Sequence, residues 1–260
     1  MVSLMGKKIL IICEGQKKEP ELFLHVKSLG LLPQDIEIVS FGTSIYNLYR
    51  ELEKESQGYE DGWESLDIQL LLTERAKTEE ERHVLMDSYT DILLIFDFDP
   101  QHPHFRNHPD ESYEWFKRLL HFFSESTEHG KLYLSYPMIE ALQHVSLDEL
   151  QANDLKSFMQ RQFTAMELKN KEYKRKSERE GVIDFSKYGR GDLVTLALWH
   201  LQKAWYVANG ESKQEELFID SELPENLLES EYSFYIKNKY GFVVSTSLFY
   251  LIETYPSYFK

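Results

Sequence analysis

The sequence predicts an α/β fold with a mostly parallel sheet flanked by helices, followed by a helical C-terminal region. Two runs, Lys8–Cys13 and Ile92–Phe98, consist almost entirely of β-branched and other apolar residues. Such runs are typical of strands buried on both faces of a parallel sheet. From Pro137 onward the spacing of apolar residues becomes helical. We therefore expect residues 1–136 to form an α/β domain and residues 137–260 to form a helical region packed on it.

Local signals place the remaining elements. Apolar patterning predicts two further strands, Ile36–Phe41 and Lys131–Ser135. Apolar spacing and end signals predict helices over Pro20–Leu29, Ile45–Ser56, most of Leu66–Tyr89, Asp110–Thr127, Met138–Val145, Leu147–Leu150, Asp154–Arg179, Asp192–Ala208, and from near Ser245. The segments expected to lie outside helices and strands are Gln57–Ser65 and the proline-rich Pro100–Pro109. The aromatic residues expected in the core or on a partner-facing surface are Trp199, Trp205, Phe249 and Tyr250.

Composition limits the classes of function. Hydrophobic residues make up 42% of the 260 positions, which indicates a folded globular protein rather than a disordered one. The net charge of −15 disfavours a general electrostatic grip on nucleic acid. A phosphate substrate remains compatible, because metal ions bound by carboxylates reverse the local field. Cys13 is the only cysteine, so an intrachain disulfide and a cysteine zinc cage are excluded.

The sequence also predicts a cytoplasmic protein without membrane partners. Met1–Gly6 shows no signal-peptide pattern, and the longest apolar runs are shorter than a membrane span. Nothing in the sequence decides the oligomeric state, and a homo-oligomer is one possibility.

Three carboxylates follow the two most strand-like runs. Glu14 comes directly after the first run, and Asp97 and Asp99 end the second. The carboxyl ends of parallel strands form the edge at which open α/β sheets bind ligands. The spacing of two residues predicts that Asp97 and Asp99 face the same side of a strand. Neighbouring carboxylates repel unless a cation lies between them, and oxygen ligands of this kind suit Mg²⁺ or Mn²⁺. Glu14 is then a metal ligand or a general acid/base.

The segment Glu14–Pro20, with Phe23 after it, resembles the E-G-x-x-[TK]-E-P opening of RloB-like proteins. These proteins belong to the TOPRIM superfamily, together with OLD-family nucleases and the catalytic domains of topoisomerases and bacterial primases. Asp97-Phe98-Asp99 matches the Asp-x-Asp motif of that superfamily. Ser135–Glu140 is similar to a third RloB element, with tyrosine and isoleucine where asparagine and phenylalanine are usual.

The resemblance covers roughly residues 7–145 and implies a TOPRIM-like fold with a Mg²⁺ or Mn²⁺ site. It further implies hydrolysis of phosphodiester bonds in DNA or RNA, often in bacterial anti-phage defence. In this interpretation Asp97 and Asp99 hold metal, and Glu14 is a metal ligand or the general acid/base. Glu19 and Glu140 are further candidate ligands, although each also suits the first turn of a helix, where a negative charge is favoured.

Several basic residues are candidates for binding the substrate. A short segment of the C-terminal region has five basic residues against two acidic ones, and helical spacing would place three of them on one side. Basic residues interleaved with aromatic ones suit a nucleic-acid backbone, whereas a solvated charged helix is the alternative. The candidates are Lys18, Arg106, Lys171, Lys174, Arg175 and Arg190.

The loop after the aspartates contains three histidines that could bind a metal or donate a proton. His102, His104 and His108 could supply nitrogen ligands to a transition metal or a proton donor, or they could simply belong to a solvated loop.

For the chain as a whole, two alternatives to a nuclease remain open. One is a nucleotidyl transferase or primase-like enzyme, and the other is a non-catalytic TOPRIM-like module that binds a partner such as a defence ATPase. The chain lacks a GxxxxGK[ST] motif, so any ATP-driven gating would require another subunit.

Overall fold

The apolar run after Lys8 forms an inner strand of a six-stranded sheet in the computed structural model, which describes residues 7–57, 62–210 and 218–259. In chain order the strands of the molecule are β1 Ile9–Cys13, β2 Ile36–Ser40, β3 Asp91–Asp97, β4 Ser124–Glu125, β5 Gly130–Tyr136, β6 Gln162–Thr164, β7 Tyr240–Phe242 and β8 Val244–Ser245. The main sheet has the order β2-β1-β3-β5-β4, and β8 pairs with β5. The predicted α/β fold with a mostly parallel sheet is confirmed.

Parallel pairing aligns the carboxyl ends of the inner strands. Along β1, Cys13 lies opposite Ser40 of β2 and Ile95 of β3. From β2 the chain crosses over β1 to reach β3 on its other side, so the strand order reverses between β1 and β3. All five residues of β1 are buried, as is all of β3 except Asp97. Both apolar runs are therefore core strands, as their sequences predict.

Helices cover the sheet and build the C-terminal region. Up to residue 136 they are α1 Lys18–Ser28, α2 Ile45–Ser56, α3 Ile68–Thr73, α4 Glu79–Leu85, α5 Pro103–Asn107 and α6 Pro109–Phe122. After it they are α7 Glu140–Gln143, α8 Leu147–Gln151, α9 Leu155–Gln160, α10 Ala165–Lys169, α11 Glu172–Glu180, α12 Arg190–Asn209, α13 Leu223–Asn238 and α14 Phe249–Thr254. No helix among the described residues has the length and apolar character needed to cross a membrane.

The single long helix predicted over Asp154–Arg179 is wrong. The segment instead contains α9, β6, α10 and all but the last residue of α11. Thr164 forms a capping box with Glu167, so a new helix starts there. Lys171 adopts a left-handed conformation with φ of 57°, which separates α10 from α11. The segment therefore turns repeatedly, and α11 packs against α7.

Other boundaries also differ from the predictions. The proline-rich segment after the aspartates contains α5, because Pro103 suits the first turn of a helix. The next helix begins at Pro109 and ends at Phe122, ahead of the predicted end, since β4 follows. Ser245 lies in β8 rather than at the start of a helix. In the predicted loop 57–65, residues 62–65 form a 3₁₀ helix, and residues 58–61 lie outside the described part. The helix α13 was not predicted.

The C-terminal region is joined to the sheet by backbone pairing and by helix packing. Ser245 of β8 lies opposite Ser135 of β5, and their hydroxyl oxygens are 2.9 Å apart. Helix α13 contacts both α6 and α12. The four aromatic residues singled out above are all buried, which agrees with a core location: Trp199, Trp205, Phe249 and Tyr250.

Candidate functional site

Glu14 and Asp97 meet at the point where the strand order reverses. Glu14 follows β1, and its backbone N–H donates to the carbonyl of Ile95 in β3 at 2.9 Å. Its side chain turns towards the same strand, where the backbone N–H of Asp97 donates to Glu14 Oε2 at 3.2 Å. Ligands of open α/β sheets bind at this kind of reversal, outside the carboxyl ends of the strands. The two motifs that are 83 residues apart in sequence therefore share one site.

Asp99 is positioned by a turn and not by the pleat of β3. The strand ends at Asp97, and Asp99 has a left-handed φ of 29°, so the predicted strand alternation does not extend to Asp99. Its N–H donates to the carbonyl of Pro137 at 3.0 Å, and Tyr46 Oη donates to its carbonyl at 3.2 Å. Its own carboxylate accepts the N–H of Gln101 at 3.2 Å. These contacts tie the Asp-x-Asp segment to the third motif and to α2.

Gly15 makes room for the carboxylate of Glu19. Glu19 lies in the first turn of α1, is buried, and accepts the N–H of Gly15 at 3.1 Å. A Cβ atom on residue 15 would lie 2.5 Å from Glu19 Oε2, closer than non-bonded atoms approach. The glycine of the first motif is thus explained by close packing of a carboxylate over the loop.

Glu140 is held by two of the predicted substrate-binding lysines. It begins α7 and is 5% exposed. Lys18 Nζ lies 2.9 Å from Glu140 Oε1 and donates to Gln143 Oε1 at 2.6 Å. Lys174 reaches the same carboxylate oxygen from α11 at 3.5 Å. The basic segment of the C-terminal region therefore extends to the carboxylate edge of the sheet.

Burial and mutual repulsion raise the proton affinity of Glu14 and Asp97. Loss of hydration raises the pKa of Glu14 to about 8, and the charges of Asp99 and Glu19 add to the effect. The backbone N–H of Asp97 works in the opposite direction. The pKa of Asp97 is raised well above its usual range by burial and then by the charges of Glu14, Glu19 and Glu140. Each carboxylate is therefore costly to ionise beside the others.

The pKa values of Glu19 and Asp99 are raised as well, and different groups oppose the rise in each. Burial raises the pKa of Glu19, while backbone N–H groups, including that of Gly15, lower it. Burial also raises the pKa of Asp99, against the N–H of Gln101 and the positive charge of Arg106. Arg106, an exposed residue of α5, is thus a cation close enough to act on the Asp-x-Asp segment.

The donor chemistry of this edge suits Mg²⁺ or Mn²⁺, since the site supplies carboxylate oxygens only. The arrangement is not that of a formed metal site: within residues 7–57, 62–210 and 218–259, no group of three or more His, Cys, Asp or Glu side chains is placed to hold one ion. Glu14 and Glu19 direct oxygens at backbone N–H groups instead. Each of these hydrogen bonds uses one of the two carboxylate oxygens.

The remaining predicted substrate-binding cations are more dispersed. Lys171 precedes α11, so it does not share the helical face predicted for it with Lys174 and Arg175. Lys171 and Arg175 are exposed. Arg190 donates to the carbonyls of Leu29 at 3.0 Å and Gly30 at 3.3 Å, beyond the C-terminal end of α1. Because α1 rises about 1.5 Å per residue, this end lies about 16 Å along the helix from Lys18.

Two residues that contact the site were missed from the sequence. Tyr46, near the start of α2, donates to the carbonyl of Phe98 at 3.0 Å as well as to that of Asp99, and its ring stacks on His102 with centroids 4.1 Å apart. Gln143 accepts from Lys18. Neither carries a local signal, because both roles depend on contacts between distant segments.

Comparison of the chain with protein-family models, with curated proteins and with solved structures finds no match.

Proposed function

We propose that this protein is a metal-dependent phosphodiesterase of TOPRIM-like architecture that hydrolyses DNA or RNA with Mg²⁺ or Mn²⁺. The observation that carries this proposal is the meeting of Glu14, Asp97 and Asp99 at the strand-order reversal, where burial and like charge oppose their ionisation. A bound cation would relieve that repulsion. The third motif supports the same interpretation, because the carbonyl of Pro137 accepts the N–H of Asp99.

In this proposal the carboxylates would bind the metal, and the basic side chains would bind the phosphate backbone of the substrate. Glu14, Asp97 and Asp99 would hold the ion, with Glu19 and Glu140 beside them. When bound, Mg²⁺ polarises a phosphoryl oxygen and lowers the pKa of a coordinated water. In the alternative arrangement Asp97 and Asp99 would hold the ion, and Glu14, whose pKa burial raises to about 8, would accept or return a proton at its carboxylate oxygen.

Local cations offset the acidic character of the chain. Lys18 and Lys174 sit against Glu140 at the edge of the site, and Arg106 acts on Asp99 from α5. A phosphodiester entering the site would compete with Glu140 for the two lysine ammonium groups. The exposed Arg175 extends the basic surface along α11. This placement gives a nucleic-acid backbone a local path despite the net charge of −15.

The proposal is tested by cleavage of plasmid DNA, single-stranded DNA and total tRNA with Mg²⁺ or Mn²⁺. We expect cleavage of at least one substrate by the wild-type protein, and its loss in the Asp97→Asn/Asp99→Asn variant, which keeps side-chain size. Asp35→Ala is the matched control, because Asp35 is exposed and precedes β2 at the opposite edge of the sheet. Cleavage that persists in the double variant would refute the assignment.

A second candidate is a non-catalytic TOPRIM-like module that binds a partner, such as the ATPase subunit of a defence system. Two observations favour it: Lys18 already neutralises Glu140, and the described carboxylates are not arranged around one ion. Titration with Mg²⁺ and Mn²⁺ separates the two candidates. Absence of binding at millimolar metal, together with absence of cleavage, would select the binding module. Incorporation of nucleotides without cleavage would instead select a nucleotidyl transferase.

A further inference from the structure

The turn that carries Asp99 is held by contacts from distant parts of the chain. Its backbone is anchored by the carbonyl of Pro137 and the hydroxyl of Tyr46, and its carboxylate accepts the N–H of Gln101 at 3.2 Å. Non-glycine residues seldom adopt a left-handed φ such as the 29° of Asp99, so the surrounding contacts must maintain this turn. The direction of the carboxylate therefore depends on where the backbone of Gln101 is held.

The side chain of Gln101 is held by the C-terminal region. Its Nε2 donates to the hydroxyl oxygen of Tyr235 at 2.7 Å, at the short end of the usual range for such bonds. Gln101 follows β3, whereas Tyr235 lies near the end of α13, 134 residues later in the sequence. Tyr235 is 6% exposed, so the bond is shielded from competing water. This contact joins the turn of Asp99 to α13.

Packing fixes the ring of Tyr235. The ring lies edge-on to Phe105 of α5, with centroids 5.8 Å apart, and its centroid is 6.2 Å from that of Phe163 in β6. The backbone N–H of Lys239 donates to the carbonyl of Tyr235 at 2.9 Å, and the chain then enters β7, which pairs with β6. A hydroxyl on a ring fixed in this way can hold the amide of Gln101 in one position.

The charge state of Tyr235 suits this contact. Burial raises its pKa, the amide of Gln101 lowers it, and the charge of Asp99 raises it again, against the effect of Arg106. The net shift is upward from 10.0, so the phenol stays neutral throughout the physiological range of pH. The influence of Asp99 on the hydroxyl also places Tyr235 close to the turn.

We propose that Tyr235, acting through Gln101, is a positioning residue for Asp99. The inference rests on the proposed phosphodiesterase function and gives the helical C-terminal region a part in it, because α13 then determines where one of the three carboxylates points. Small displacements of a group that must be precisely oriented slow a reaction even when the altered residue is remote from the reacting atoms.

The first test measures the turn itself in the metal-free, full-length protein. Tyr235→Phe keeps the ring and removes the hydroxyl. We expect the Gln101 amide, followed by NMR hydrogen exchange, to exchange about fivefold faster, the factor that corresponds to one hydrogen bond of roughly 1 kcal/mol. Tyr232→Phe is the matched control on the same helix, because its hydroxyl bonds to Asp110, and it should exchange like the wild type. An unchanged rate in Tyr235→Phe would overturn the proposal, whether or not the protein cleaves nucleic acid.

The second test measures cleavage of whichever substrate the panel above identifies. We expect Tyr235→Phe and Gln101→Ala each to lower kcat about fivefold, with KM within about twofold of the wild type, because they alter the direction of Asp99 and not substrate binding. The double variant should be no slower than Gln101→Ala, since both changes remove the same contact. Tyr232→Phe should cleave like the wild type.

Three results would overturn the role in catalysis: a wild-type kcat in Tyr235→Phe, a change confined to KM, or additive losses in the double variant. Absence of cleavage by the wild type would refute the phosphodiesterase, and with it this role. The exchange rates of the Gln101 amide would still decide whether Tyr235 holds the turn, so the two failures are distinguishable.

Discussion

The raised pKa of Glu14 leads to a specific dependence of stability on pH. The folded protein holds the Glu14 proton with a pKa of about 8, against an ordinary value of 4.5. Between these values the folded state binds more protons than the unfolded state, so stability falls as pH rises. The contribution is fully present below pH 4.5 and is lost once the pH passes about 8.

The size of the effect follows from the same two values. A tenfold difference in proton affinity corresponds to about 1.4 kcal/mol, so the interval from 4.5 to about 8 amounts to roughly 5 kcal/mol, of which roughly 4 kcal/mol falls between pH 5 and 9. Glu14→Gln removes the titration and keeps an oxygen that can accept the N–H of Asp97. Glu231, whose pKa is also raised to about 8 by burial, titrates in both proteins and cancels from the comparison.

Urea unfolding of metal-free protein between pH 5 and 9 measures the difference. We expect the wild type to lose about 4 kcal/mol more than Glu14→Gln over this range. Glu21→Gln, which changes an exposed carboxylate on α1, should follow the wild type. Saturating Mg²⁺ should flatten the wild-type profile if the ion binds ionised carboxylates at this edge. Parallel profiles for the wild type and Glu14→Gln would refute the description of Glu14 as a partly desolvated carboxylate repelled by its neighbours.

Two other changes test the packing and the basic surface. Gly181→Ala should lower the stability by about 3 kcal/mol or more, because a Cβ there would lie 1.9 Å from the backbone oxygen of Gln143. Gly191→Ala, with open space around its Cβ position and a helical location, should instead be neutral or stabilising by up to about 1 kcal/mol, and equal thermal unfolding of the two variants would contradict this. Lys174→Ala should weaken nucleic-acid binding and reduce the slope of log K against log salt by about one, whereas Arg190→Ala should leave it unchanged in a fluorescence-anisotropy titration. An equal loss in both variants would contradict the separation of their roles.

The inner strands could be predicted because their burial leaves a direct mark on the sequence. A strand covered on both faces needs an unbroken apolar run, and β1 and β3 have one. The capping box of Ser146 and Glu149 is likewise local and is present at the start of α8. The breaks within 154–179 were missed because lysine has no particular preference for the left-handed conformation that Lys171 adopts. The strand β8 was missed because two residues show no periodicity, and only its pairing with β5 defines it.

The candidate site, too, could be predicted only in part. Strand order and chain direction determine where a strand ends, so the proximity of Glu14 and Asp97 followed from topology. The direction of the Asp99 side chain could not be predicted from topology, since it depends on a turn anchored by Tyr46 and Pro137. The ion pair of Lys18 and Glu140 could not be predicted either, because it joins α1 to a helix more than a hundred residues later. Sequence therefore located the edge, and tertiary contacts set its geometry.

The carboxylates at this edge of the sheet lower the stability of the folded protein. Glu14 and Asp97 repel each other in surroundings that already disfavour their ionised forms, and the sheet beneath them must supply the free energy that keeps them together. Lys18 offsets only part of this repulsion, because its ammonium group is directed at Glu140. Hydrophobic residues at these positions would give a more stable protein. We therefore expect these half-buried carboxyl groups, which oppose each other's ionisation at the strand-order reversal, to serve a cation-binding site rather than a surface that only binds a partner.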